Sequence, residues 1–209
     1  MSKQENVTAR SLPDQLTQLA KLDEDLGRAY AQVGVPPIRS RPRGFETLLK
    51  IICAQQISTS AARAIMGRLE KKVSPLSADG FLAAPETGLK ELGLSRQKIS
   101  YGKALAEAVS DKTLNFRSLH RMEDEGVIHE LTKIKGIGRW SAEVYCLFAL
   151  RRLDIWPEDD LAVVVAVQRI KGLEQRPDRQ EMLIYGENWR PLRSIAARLC
   201  WHYYNTVPV

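Results

Sequence analysis

Apolar residues recur at three- and four-residue intervals along nearly all of this chain. Nowhere do they alternate for long enough to make a strand. That pattern restricts the fold to packed helices, because a stripe of helical period must be buried against another helix. Phe45, Leu48, Leu49 and Ile52 give one such face. Ala61, Ala62, Ile65 and Leu69 continue on the same spacing after Ser58, a candidate N-cap. Residues 97–110 give another helix, with Ile99, Ala106 and Val109 inward. Residues 141–150 and 161–171 are strongly apolar, and Gly172 is placed to close the second. Residues 189–204 make a last helix with Pro191 in its first turn. Loops are expected at 34–44, 73–88 and 172–180, and residues 1–10 are expected to fray. The loop at 34–44 is basic and proline-rich, and it is read as the edge of an N-terminal helical arm. The fold class is all-α, with about eight to ten short helices.

The chain carries 31 basic and 25 acidic residues, a net charge of +6. That balance suits a polyanionic partner, since Lys and Arg that neutralise phosphates release counterions. By itself it discriminates little. No apolar run reaches the roughly 18 residues of a membrane span. The stretch AVVVAV at 162–167 is short and bounded by charge, so it reads as buried helix. The first residues lack the apolar core of a secretory signal. A cytoplasmic protein is expected in a prokaryote, or a nuclear one in a eukaryote. Cys53, Cys146 and Cys200 are dispersed within apolar segments and read as buried thiols. An iron–sulfur cluster would need four clustered cysteines. His120, His129 and His202 are equally dispersed and read as structural or surface residues.

Function is written most densely between residues 131 and 160. Leu131 and Ile134 anchor a helix that turns through Gly136-Ile137-Gly138, and a second helix begins near Arg139. Glycines permit backbone angles and close approaches that other residues resist. The free N–H groups of the second helix point into the turn, which makes it a phosphate site. A bare G-x-G turn would be only a tight helix connection. The apolar anchors and the basic Lys133, Lys135 and Arg139 favour DNA. Twenty-two residues past Gly138 comes Asp160, after Trp156-Pro157-Glu158-Asp159. Proline, acids and then an apolar run mark a helix start, so Asp159 or Asp160 serves as N-cap. A carboxylate there also suits an oxocarbenium-like sugar, whose charge appears only as a bond breaks.

Two further groups fit the same chemistry. Trp189 reads as core, whereas Trp140 and Trp201 are candidates to stack on an everted base, since aromatic faces attract cationic rings. An alkylated purine is such a ring. Gln55 and Gln56 interrupt an apolar helix, and their amides are suited to plug the gap an everted nucleotide leaves. Gln56 is the preferred plug.

These segments resemble the helix–hairpin–helix DNA glycosylases, in particular the 3-methyladenine DNA glycosylase II branch. The likeness covers roughly residues 40–205 and is carried by ICAQQIST (52–59), LGLSRQKISYGKALA (92–106), LTKIKGIGRWSAEVYCLFAL (131–150) and WPEDDLAVVVAV (156–167). It implies a two-lobed helical bundle with a cleft between lobes, one lobe over about 45–160 and the other from about 11–44 plus 161–209. It puts the catalytic aspartate on Asp160, with Asp159 as the fallback. Relatives with lyase activity place a lysine two residues after the second hairpin glycine. Here that position is Trp140, so the resemblance implies a monofunctional enzyme. The backbone carbonyls of Thr132, Ile134 and Ile137 match positions that hold a monovalent cation in relatives, and no other cofactor is expected. Lys135 replaces a proline common before the first hairpin glycine. The larger members carry an N-terminal β domain, for which 209 residues leave no room. The expected activity is excision of alkylated purines from double-stranded DNA by a monomer. The alternatives are a glycosylase for deaminated or etheno-adducted bases and a non-catalytic damaged-DNA-binding module.

Overall fold

A computed structural model describes residues 6–208. Among them are thirteen α-helices and a π-helical turn, Cys146–Leu150, with no strand beyond an isolated bridge between Asn6 and Arg152. No helix among the described residues is long and apolar enough to cross a membrane. Contacts divide the chain into two compact units. One runs up to Ser40 and resumes at Leu150; the other is Arg41–Ala149.

The second unit contains α3 (Phe45–Ala54), α4 (Thr59–Lys72), α5 (Ala78–Ala83), α6 (Glu86–Glu91), α7 (Arg96–Ser110), α8 (Phe116–Leu119), α9 (Asp124–Thr132) and α10 (Arg139–Tyr145). Helix α3 is apolar on nearly every side and packs against α4, α7 and α10. Leu48, Leu49, Ile51 and Ile52 are each buried, which contributes about 1.5–3 kcal/mol per side chain. Ser58 caps α4 by accepting from the Ala61 N–H at 3.2 Å. Val109 lies only half-buried at the end of α7, where the helix runs out of core.

The first unit contains α1 (Leu12–Leu22), α2 (Glu24–Val33), α11 (Leu161–Lys171), α12 (Arg179–Asn188) and α13 (Arg193–Thr206). Helix α13 is its centre, with Ser194 through Cys200 all buried against α1, α2 and α11. Gly172 ends α11 in the left-handed conformation, φ 63°.

Several expectations need correction. Residues 73–88 are not a plain loop: Ser77 caps α5 through the Gly80 N–H, and α6 follows at Glu86. The loop expected at 172–180 ends early: α12 starts at Arg179, and Asp178 with Glu181 forms a complete capping box for it. Pro191 precedes α13 rather than sitting in its first turn, because Trp189 closes α12 and Leu192 caps the next helix. Residues 150–160 belong with the first unit, where the Ile155 N–H donates to Ser194 Oγ at 2.9 Å and Trp156 packs edge-on against Trp189. Of the expected frayed end, residues 1–5 lie outside the described residues. Val7 is buried, and its N–H donates to the Arg151 carbonyl at 2.9 Å.

Asp23, between α1 and α2, ties the first unit together. Its Oδ1 caps α2 through the N–H groups of Asp25 and Leu26, at 3.0 and 3.2 Å. Its Oδ2 accepts from Lys171 Nζ at 2.6 Å and from Trp189 Nε1 at 2.8 Å. Burial alone pushes the Asp23 carboxyl up; the bonds from Lys171, Trp189 and Leu26 outweigh it, leaving it below its ordinary 3.8. Burial depresses the Lys171 ammonium, but Asp23 and Asp25 hold it above its ordinary 10.5. The stabilisation from Asp23 is therefore present above the ordinary carboxyl value and is lost as pH falls through the lower folded value. Asp23→Asn should cost ~1–3 kcal/mol at neutral pH, measured by denaturant unfolding, and the deficit should shrink below about pH 4.

Candidate functional site

In the second unit, α9 ends at Thr132, Gly136 turns the chain, and α10 starts at Arg139. Ile134 and Ile137 are buried beneath the turn, and the Ile137 N–H donates to the Ile134 carbonyl at 3.0 Å. Gly136 has φ 90°, and a Cβ there would overlap the ring of Tyr101 on α7. Glycine is therefore required twice, by the backbone angle and by the ring beneath it. Gly138 is different: φ is −85° and nothing lies within 4 Å of its built Cβ. It serves as N-cap of α10, and no side chain caps that helix. Helix α10 runs directly into the π-helical turn, so the first amides head a longer helical segment.

A recess of about 480 Å³ opens at this turn, lined by Thr132, Ile134, Lys135, Gly136, Ile137 and Gly138 of the hairpin. Gln55, Gln56, Gln97, Lys98 and Tyr101 line its other side. Gln55 Nε2 donates to the Gly136 carbonyl and to Ser141 Oγ, both at 3.0 Å. Lys98 Nζ donates to the Cys53 carbonyl at 2.7 Å. Burial holds the Lys98 ammonium below its usual range and pushes the Cys53 thiol up to about 11. Cys53 is thus an inert part of the core, as are the buried Cys146 and Cys200.

In the first unit, Asp160 caps α11. Its Oδ1 accepts from the Val163 N–H at 3.0 Å and from Trp201 Nε1 at 3.0 Å. The residue is 9% exposed. Asp159, one residue earlier, points outward and pairs with the exposed Arg179 at 3.4 Å. Arg179 also holds the buried Glu158 at 3.0 Å. The geometry therefore distinguishes two neighbouring acids: Asp160 is built into the helix start, and Asp159 belongs to a surface ion pair. Leu161, the next residue, is 62% exposed.

The chain matches the family of HhH-GPD superfamily base excision DNA repair proteins over residues 49–191. The protein belongs to this family. It is 32% identical to DNA-3-methyladenine glycosylase 1 of Schizosaccharomyces pombe, over 95% of this chain and 90% of that protein. The solved structure of the S. pombe 3-methyladenine DNA glycosylase in complex with abasic DNA superposes with a TM-score of 0.84 at 30% identity, covering 90% of this chain and 95% of that one. DNA-3-methyladenine glycosidase from Bacillus halodurans gives a TM-score of 0.80, also at 30% identity, over 92% and 89% of the two chains.

Within this HhH-GPD chain, the residues singled out from sequence sort into two groups. Asp160 and Trp201 are in direct contact. Gln55, Gln56, Thr132, Ile134, Lys135, Gly136, Ile137 and Gly138 share the hairpin recess. Gln55 is half-buried and bonded to the hairpin, whereas Gln56 beside it is exposed. Arg139 is held by Glu125 at 2.7 Å and by the buried Glu143 at 2.9 Å, so its guanidinium braces the hairpin. Lys135 is exposed and Trp140 is half-buried. His120 and His129 are exposed, and His202 bonds the Val33 carbonyl at 2.9 Å. Tyr101 and Lys98 were not visible from sequence, because a tyrosine and a lysine on an amphipathic helix carry no local mark of what they touch.

The contrast between the two glycines is testable. Gly136→Ala should cost ~2 kcal/mol or more in thermal unfolding and weaken DNA binding. Gly138→Ala should fold like the parent protein, because its Cβ enters open space.

Proposed function

We propose that the protein is a monofunctional DNA glycosylase that excises alkylated purines, such as 3-methyladenine and 7-methylguanine, from double-stranded DNA. The observation that carries this reading is Asp160: a largely buried carboxylate, fixed by a helix amide and a tryptophan N–H, in a chain of the HhH-GPD family. The relatives named as 3-methyladenine glycosylases supply the substrate class.

An alkylated purine carries positive charge on the ring. When the C1′–N bond breaks, its electron pair returns to the ring and the base leaves neutral. The cation is then on the sugar. A carboxylate already held in place stabilises that charge without reorganising. Water adds to C1′ from the face away from the base, and Asp160 helps to position it and to receive its proton. The products are the free base and an abasic site. Trp201, held by Asp160, supplies an aromatic face for the everted ring. The hairpin amides and Lys135 hold backbone phosphate, and Gln56 fills the vacated stack.

We propose that the backbone carbonyls of Thr132, Ile134 and Ile137, residues that all line the recess, would hold a monovalent cation. The Ile134 oxygen already accepts from Ile137, so it would offer its second lone pair. When bound, the cation would add positive charge facing a phosphate.

Asp160→Asn keeps acceptor oxygen for the Val163 and Trp201 N–H groups, so it should fold and still bind DNA. Base release from methylated DNA should fall by roughly 10²-fold or more. Release at the parent rate would remove Asp160 from the mechanism. Because Trp140 stands where an amine would be needed, borohydride should trap no protein–DNA adduct. A trapped adduct would show lyase chemistry and contradict the assignment as monofunctional.

A further inference from the structure

The loop after α3 is fastened at two points. Lys98 Nζ holds the Cys53 carbonyl at 2.7 Å. Two residues on, the Gln55 amide reaches across to the Gly136 carbonyl and Ser141 Oγ, both at 3.0 Å. These partners lie in the turn of the hairpin and in the first turn of α10. Between the fastened Gln55 and the helix cap at Ser58 stand Gln56 and Ile57. Gln56 takes φ 57°, a left-handed conformation that non-glycine residues adopt only when their surroundings impose it. Its side chain is exposed, and Ile57 is 38% exposed beside it. An amide and an apolar wedge, offered together at one tip, suit insertion into a base stack.

We propose that Gln55 is a positioning residue that couples the DNA-holding hairpin to the Gln56–Ile57 tip, so that gripping the strand and opening the stack act as one rigid step. The inference rests on the glycosylase reading above. Gln55 does not touch the reacting atoms. Its two hydrogen bonds fix the distance between the surface that takes phosphate and the side chains that replace the lost base. Without them the hairpin can still hold the backbone, but the tip no longer arrives in register with it. The defect then falls on eversion and not on bond cleavage.

The test compares single-turnover base release from two duplexes. In one, an alkylated purine faces its normal pyrimidine. In the other, it faces an abasic analogue and has no pairing to break. Gln55→Ala should lose roughly tenfold more on the paired lesion than on the unpaired one. Ser141→Ala, which deletes one of the two acceptors, should show a smaller loss with the same bias. It also carries the test if Gln55→Ala fails to fold, as judged by its thermal midpoint. Equal losses on both duplexes, or no loss on either, overturn the coupling and leave the glycosylase reading standing. A parent protein that releases no base from either duplex overturns both.

Discussion

One carboxylate and the two hydrogen bonds that fix it underlie the proposed chemistry. Asp160 Oδ1 accepts from the Val163 N–H and from Trp201 Nε1, each at 3.0 Å. Burying a carboxylate is costly, and such a group persists only when hydrogen bonds meet it. Here the helix start supplies one and the indole the other. The same bonds that make the burial tolerable also remove the rotational freedom of the side chain. An anion oriented before the reaction begins stabilises a developing cation more than one that must reorganise. The structural role as N-cap and the proposed catalytic role are thus two consequences of one geometry. Asp159 differs only in register, and its pairing with Arg179 at the surface gives it neither property.

The hairpin obeys a similar economy of parts. Gly136 accommodates both the backbone turn and the Tyr101 ring, and its carbonyl is the acceptor for Gln55. Arg139 spends its charge on Glu125 and Glu143, which rigidifies the first turn of α10. Lys135 is exposed at the turn beside the backbone amides. This matches recognition of the sugar–phosphate strand by shape, which needs fixed donors more than a high count of cations.

Much of this was legible from residue order, and what was not has physical causes. Helices α3, α4, α7 and α11 announce themselves by apolar periodicity, and Ser58 and Gly172 mark the start of α4 and the end of α11 because capping is a local interaction. Helices α5 and α6 have six residues each, too few to display a period. Helix α12 lacks a strong apolar stripe, and its one local mark is the Asp178–Glu181 capping box. Pro191 misled, since proline suits a first helical turn and equally the segment just before one. In the site, Asp160 was legible because a helix start and an acid coincide, and the hairpin because glycines punctuate it. Tyr101 lies 35 positions from Gly136 and Gln55 lies 81 from it, so their contacts exist only once the second unit has folded. The charge on Arg139 counted in favour of DNA in the sequence, but its paired carboxylates are set by the fold.

The most direct measurement of the central claim is binding of duplexes that carry a charged mimic of the departing state. A cationic pyrrolidine in place of the sugar reports the stabilisation of positive charge, and a neutral tetrahydrofuran of the same shape is its control. The protein should bind the cationic duplex more tightly than the neutral one, and Asp160→Asn should erase that preference while leaving affinity for the neutral duplex unchanged. If the preference is equal in both proteins, the carboxylate at residue 160 is not what stabilises the sugar cation.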